Sequence, residues 1–130
     1  MGNSSILFDH VHLISPDPRA AAAWYVEKLG GREQSSIEVL GAPQIYIELA
    51  GTGVIIRGQR TGEKVEEKNG LKWGLDHFGL RVEGDFDAYC ARLKEKGVKF
   101  IIDPRDFNPT TRIAFIEDPD GVQIELLQRR

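Results

Sequence analysis

An α+β fold built from two β-α-β-β-β modules is what the sequence predicts, on three observations. Short runs alternate apolar and polar residues with the period of two that marks a half-buried strand. Two longer stretches carry helix-start residues, an amphipathic run and a glycine stop. The order of these signals then repeats, with "FDHVHLIS" around His10 matching "LDHFGLRV" around His77. Such self-similarity points to internal duplication. The 130 residues suit one domain, 1–130, made of repeats 6–60 and 73–130.

The elements follow in order. "FDHVHLIS" is the first strand, and "SPDPRAAAAWYVEKLGG" supplies an Asp-Pro helix start, an alanine-rich run and a double glycine stop. Three strands, "EQSSIEVL", "PQIYIELA" and "GVIIRG", come next, separated by Gly and Pro. "RTGEKVEEKNG" is a polar connector, and its "EKVEEK" run reads as solvated. The pattern restarts with the strand "GLDHFGLRV" and the helix "GDFDAYCARLKEKG", stopped at Gly97. "VKFII", "TTRIAFIED" and "VQIELLQ" are the last three strands, and "DFNPTTR" (106–112) is a loop and a candidate flap.

Alternation assigns the faces. Val11 and Leu13 share one face of the first strand, which leaves His10, His12 and Ile14 on the other. In the matching strand Phe78, Leu80 and Val82 are the apolar set, opposite His77, Gly79 and Arg81. In the last strand Ile124 and Leu126 oppose Gln123, Glu125 and Leu127. With the apolar faces under the helices, all three histidines and Glu125 fall on the helix-free side. An antiparallel sheet often has one face that is simply wet. A collection of every histidine with a carboxylate is instead a candidate site. Tyr46, Glu48 and Gln123 line the same side by alternation. Arg57, Arg81 and Arg112 are candidate substrate-binding residues, with Gln123, because guanidinium recognises carboxylate bidentately. Trp24, Tyr25 and the single cysteine, Cys90, sit at helical spacing and read as core.

Composition narrows the partners. With 17 basic and 20 acidic side chains the formal net charge is -3, which offers no footprint for nucleic acid. No run spans a bilayer and no signal peptide is apparent, so a cytoplasmic protein acting on a small molecule is expected.

The segments "FDHVHL", "AAAAWYVEKLGG", "LDHFGLRV" and above all "IAFIEDPDGVQIELL" resemble the vicinal oxygen chelate superfamily, which includes glyoxalase I, extradiol dioxygenases and bleomycin resistance proteins. The resemblance implies paired modules whose curved mixed sheets form a cleft around a divalent metal. It implies His10, His77 and Glu125 as the metal ligands. Two imidazoles and one carboxylate suit Fe, Mn, Zn or Ni, and open coordination positions then polarise two adjacent substrate oxygens. His12 and Glu125 are the candidate catalytic residues, His12 as a base or hydrogen-bond partner. Glyoxalase I has a fourth ligand in the last strand of its first repeat, and here that place falls on Ile56, or on Ile55 or Arg57 after a slip of one residue. A three-ligand set leans towards a dioxygenase. A glyoxalase- or epimerase-like lyase or isomerase and a non-catalytic binding protein are the alternatives. Members of the family commonly dimerise, so a homodimer is expected.

Overall fold

The computed structural model describes residues 2–67 and 69–130 of the chain. The chain divides into two compact units, Met1–Lys64 and Val65–Arg130. The first contains β1 (His10–Ile14), α1 (Pro18–Leu29), β2 (Arg32–Val39), β3 (Ala42–Leu49) and β4 (Thr52–Arg57). The second repeats the order with β5 (Phe78–Arg81), α2 (Phe86–Glu95), β6 (Lys99–Asn108), β7 (Thr111–Glu117) and β8 (Gln123–Arg129).

Each unit is a four-stranded mixed sheet, ordered β1-β4-β3-β2 in the first and β5-β8-β7-β6 in the second. The first strand runs parallel to the last and the remaining pairs are antiparallel. A parallel neighbour cannot be reached by a hairpin, and in both units the connection includes a helix. Capping explains where the helices begin. The Asp17 side chain accepts from the Ala20 N–H at 3.1 Å and that of Asp85 from the Ala88 N–H at 3.0 Å, which satisfies donors that have no partner inside the helix. Pro18 takes the first turn of α1, and Gly30, at φ 78°, closes it in the left-handed region.

The core of each unit lies between its helix and one face of its sheet. Ala21, Ala22 and Tyr25 of α1 are buried with Ile45, Ile47, Val54 and Ile56. Phe86, Cys90 and Leu93 of α2 are buried with Ala114, Ile116, Ile124 and Leu126. Tyr25 is core as expected, and the half-buried Trp24 packs edge-on against it with ring centroids 4.9 Å apart. Burial pushes the Cys90 thiol up to about 11, which leaves it protonated and poorly nucleophilic at neutral pH.

Two segments differ from the sequence reading. The strand read over "VKFII" continues to Asn108, so most of "DFNPTTR" is the tip of the β6–β7 hairpin instead of a loop. Pro104 interrupts the pattern but sits in an edge strand, where a missing N–H is tolerated, and the pairing shifts register between Ile102 and Arg105. At the tip, the Thr110 N–H donates to the Asn108 side chain at 2.9 Å and the Thr110 carbonyl accepts from Arg130 at 2.8 Å. The "EKVEEK" run is not wholly solvated either. Glu63 accepts from Arg57 Nη1 at 2.6 Å and from the Arg60 N–H at 2.8 Å, although Lys68 at the end of the run lies outside the described residues.

Candidate metal and substrate site

Two aspartate-histidine pairs occupy equivalent places in the two units. Asp9 Oδ2 lies 2.6 Å from His10 Nδ1, and Asp76 Oδ2 lies 2.7 Å from His77 Nδ1. A carboxylate at Nδ1 holds the proton there and leaves Nε2 as the lone-pair atom. Sequence reasoning chose both histidines and missed both aspartates. The signal was present, because "DH" recurs at the same place in each repeat.

In the second unit His77 Nε2 stands 3.2 Å from Glu125 Oε1, while the His77 ring meets the edge of Phe115 at 4.8 Å between centroids. The register that produces this pairs Gly79 with Glu125 and Phe115 with Glu125. The Asp76 hydrogen bond, chiefly, and the Glu125 carboxylate raise the His77 pKa against the opposing effect of burial. The imidazole nitrogen of His77 and the carboxylate oxygen of Glu125, facing each other at 3.2 Å, are donor types that would suit a divalent ion. Among the described residues, no three His, Cys, Asp or Glu side chains are grouped so as to hold a metal ion.

In the first unit the helix-free face is a groove of about 580 Å3, lined by His10, His12, Gln44, Tyr46, Glu48 and Ile55 among others. The β1–β4 register explains the room beside His10. Its partner is Gly53, where a Cβ would come within 3.0 Å of that of His10 and 3.1 Å of the Asp9 carbonyl. The His12 ring lies edge-on to that of His10 at 6.0 Å. Burial, then Arg57, His10 and Arg60, lower the His12 pKa and favour the neutral imidazole.

Register also settles which residue stands at the fourth-ligand place. Glu125 pairs with Gly79, two residues after His77, and the matching residue in the first unit pairs with His12, two after His10. That residue is Ile55. Ile56 is fully buried on the helix side, so the slipped register is the correct one. Neither side chain binds a metal.

The candidate substrate residues are dispersed. Arg57, whose side chain is 12 % exposed, is tied to Glu63 at 2.6 Å. Arg112 makes a two-pronged contact with Asp87 of α2, as close as 2.8 Å, and meets Asp106 at 3.2 Å. It lies on the same side of β7 as the buried Ala114 and Ile116, opposite Phe115 and the Glu125 face. Arg81 is exposed, with no carboxylate partner among the described residues. Gln123 pairs with Glu117 and borders a depression of about 690 Å3 shared with Asp76 and Gly121.

Comparison with known proteins places the fold in a family. The family model described as Glyoxalase/Bleomycin resistance protein/Dioxygenase superfamily matches residues 7–126. The chain is 30% identical over 134 residues to a lactoylglutathione lyase from Escherichia coli O157:H7, covering 93% of this chain and 91% of that protein. It is 43% identical over 63 residues to a probable lactoylglutathione lyase from Synechocystis sp., a match spanning about half of either protein, 48% of this chain and 47% of the relative. Among solved structures, the glyoxylase/bleomycin resistance protein/dioxygenase domain from Frankia sp. EAN1pec superposes with a TM-score of 0.81 at 25% identity, covering 98% of this chain and 100% of that one. A glyoxalase I mutant from Zea mays superposes at 0.76 and 23% identity, covering 94% of this chain and 44% of its own, and shows the fold. The chain belongs to the glyoxalase/bleomycin resistance protein/dioxygenase superfamily.

Proposed function

We propose that the protein is a divalent-metal-dependent lyase or isomerase of the glyoxalase type, acting on a small substrate with two adjacent oxygens. The observation that carries this reading is the kinship with a lactoylglutathione lyase along 93% of the chain. It moves the lyase ahead of the dioxygenase towards which the ligand set leans. The pairing of His77 Nε2 with Glu125 Oε1 supports it. In this reading His10, His77 and Glu125 would hold the ion, which would supply Lewis acidity towards the two oxygens.

The chain's own residues do the rest. Asp9 and Asp76 keep the Nδ1 protons in place and the Nε2 atoms directed outward. Glu125 Oε1 takes and returns the substrate proton. His12, favoured as neutral imidazole, accepts a hydrogen bond or proton from bound substrate. A symmetric homodimer completes the proposal, in keeping with the exposed Ile6, Leu7 and Phe8 that precede the edge strand β1. No helix among the described residues is long and apolar enough to cross a membrane.

The test is turnover by protein loaded separately with Zn, Ni, Mn or Fe. Conversion of a 2-oxoaldehyde–thiol adduct to the 2-hydroxyacyl thioester, without oxygen uptake, is the expected result. The three-ligand set, with Ile55 at the fourth place, favours one second reading, the dioxygenase. Oxygen consumption with a catechol by the Fe- or Mn-loaded protein would establish that instead.

A further inference from the structure

Arg60 lies beyond the end of β4, and its Nη2 donates to Gln44 Oε1 at 2.5 Å. Arginine carries only donors, so the Gln44 atom facing it must be the oxygen and the amide nitrogen must face away. That nitrogen donates to the Tyr46 hydroxyl oxygen at 2.7 Å. The Tyr46 oxygen is therefore engaged as an acceptor, and its own proton is left for another partner. Gln44 is 7% exposed, so packing fixes this orientation. Gln44 and Tyr46 both line the groove that holds His10 and His12. A hydrogen-bond chain that begins on a cation polarises each donor further along. Here the last donor is the phenol O–H.

The charges at this end of the groove do not cancel. Glu63 offers one carboxylate to two arginines, and its Oε1 takes Arg57 Nη1 and only the backbone N–H of Arg60. Among the described residues, the Arg60 guanidinium meets the neutral Gln44, and its Nε is buried without a hydrogen-bond partner. Arg60 is half-buried and shares the single Glu63 carboxylate with Arg57, so the two guanidinium groups leave this end of the groove net positive and favourable to an incoming anion.

We propose that this end of the groove binds the carboxylate of a small substrate, with the Tyr46 hydroxyl donating to it and Arg60 and Gln44 orienting that hydroxyl. Tyr46 touches the ligand, while Arg60 and Gln44 are positioning residues. The proposal deepens the reading of this groove as a substrate face by naming the ionic class of its occupant. It does not depend on the metal.

Metal-free protein is the material for the test. Backbone amide shifts are followed by NMR during titration with pyruvate and, separately, with pyruvamide, which has the same shape without the charge. Pyruvate is expected to shift the amides of 44–46 and to bind about tenfold more tightly than pyruvamide, the scale of one charge-assisted hydrogen bond. Tyr46→Phe, which keeps the ring, and Arg60→Met are each expected to abolish that preference. Arg60→Lys, which retains the charge and a donor for Gln44, is expected to restore part of it. A purely structural role for Arg60 would affect both ligands alike. Equal binding of the two ligands, no binding of pyruvate, or an undiminished preference in a correctly folded Tyr46→Phe protein would overturn the proposal. Metal uptake by the same preparation, measured separately, tests the metal reading independently.

Discussion

Asp9 and Asp76 are each one residue from the histidine they hold, so local sequence alone sets these two pairs. The environments of His77 and His12 then diverge. Asp76 and Glu125 raise the His77 pKa above the ordinary 6.5, while burial and nearby cations lower that of His12. NMR titration of the metal-free protein should therefore show His77 losing its proton above pH 6.5 and His12 below it, and Asp76→Asn should move the His77 midpoint down. The stability effects have opposite signs. His77 contributes stability that is complete below the unfolded value of 6.5 and is lost as pH rises through its folded value, whereas the His12 contribution is present above 6.5 and lost as pH falls through its lower folded value. Gly53 matters for a steric reason, since its added Cβ would meet His10 Cβ at 3.0 Å. Gly53→Val should cost roughly 1–3 kcal/mol by overpacking and displace His10, measurable as a lower denaturation midpoint together with weaker metal binding.

At the scale of the element, register decides what the site contains. Period-two alternation was legible in the sequence, and it puts together His10 and His12, which both line the groove, and directs Glu125 to the side where it meets His77. Strand pairing itself was not legible, because nothing local says which residue of β4 lies beside His12. That is why Ile55, Ile56 and Arg57 are all compatible with the sequence, and only the parallel register distinguishes them. Ile55→Glu, which places a carboxylate at the fourth-ligand position, should tighten metal binding, as isothermal titration with Zn would reveal. The end of β6 was hidden for a different reason. Pro104 and Pro109 are turn signals in a local reading, and only an edge position with register shifts accommodates the first within a strand. Both helix starts were legible from their caps. Asp85→Ala, which removes the acceptor for the Ala88 N–H, should cost about 1 kcal/mol and lower the thermal midpoint.

Across the whole molecule, duplication was the strongest signal in the sequence, and the two units carry the same strand order. Duplication also explains what the sequence concealed. The repeats retain the Asp-His pair and diverge around it, with Glu125 in one against Ile55 in the other and the Arg60–Gln44–Tyr46 chain in the first alone. Arg112 shows the limit of reading function from residue type, for an arginine suited to a carboxylate substrate is engaged by Asp87 and Asp106. The central claim is that His10, His77 and Glu125 serve one divalent ion. Its most direct test is elemental analysis of protein reconstituted with Zn, Ni, Mn or Fe and freed of excess metal, beside His10→Ala, His77→Ala and Glu125→Ala. The account predicts about one ion per chain in the wild type, as a single three-donor site requires, and loss of most of it in each variant whose fold is retained. A wild type that holds no ion, or variants that hold as much as the wild type, would contradict it.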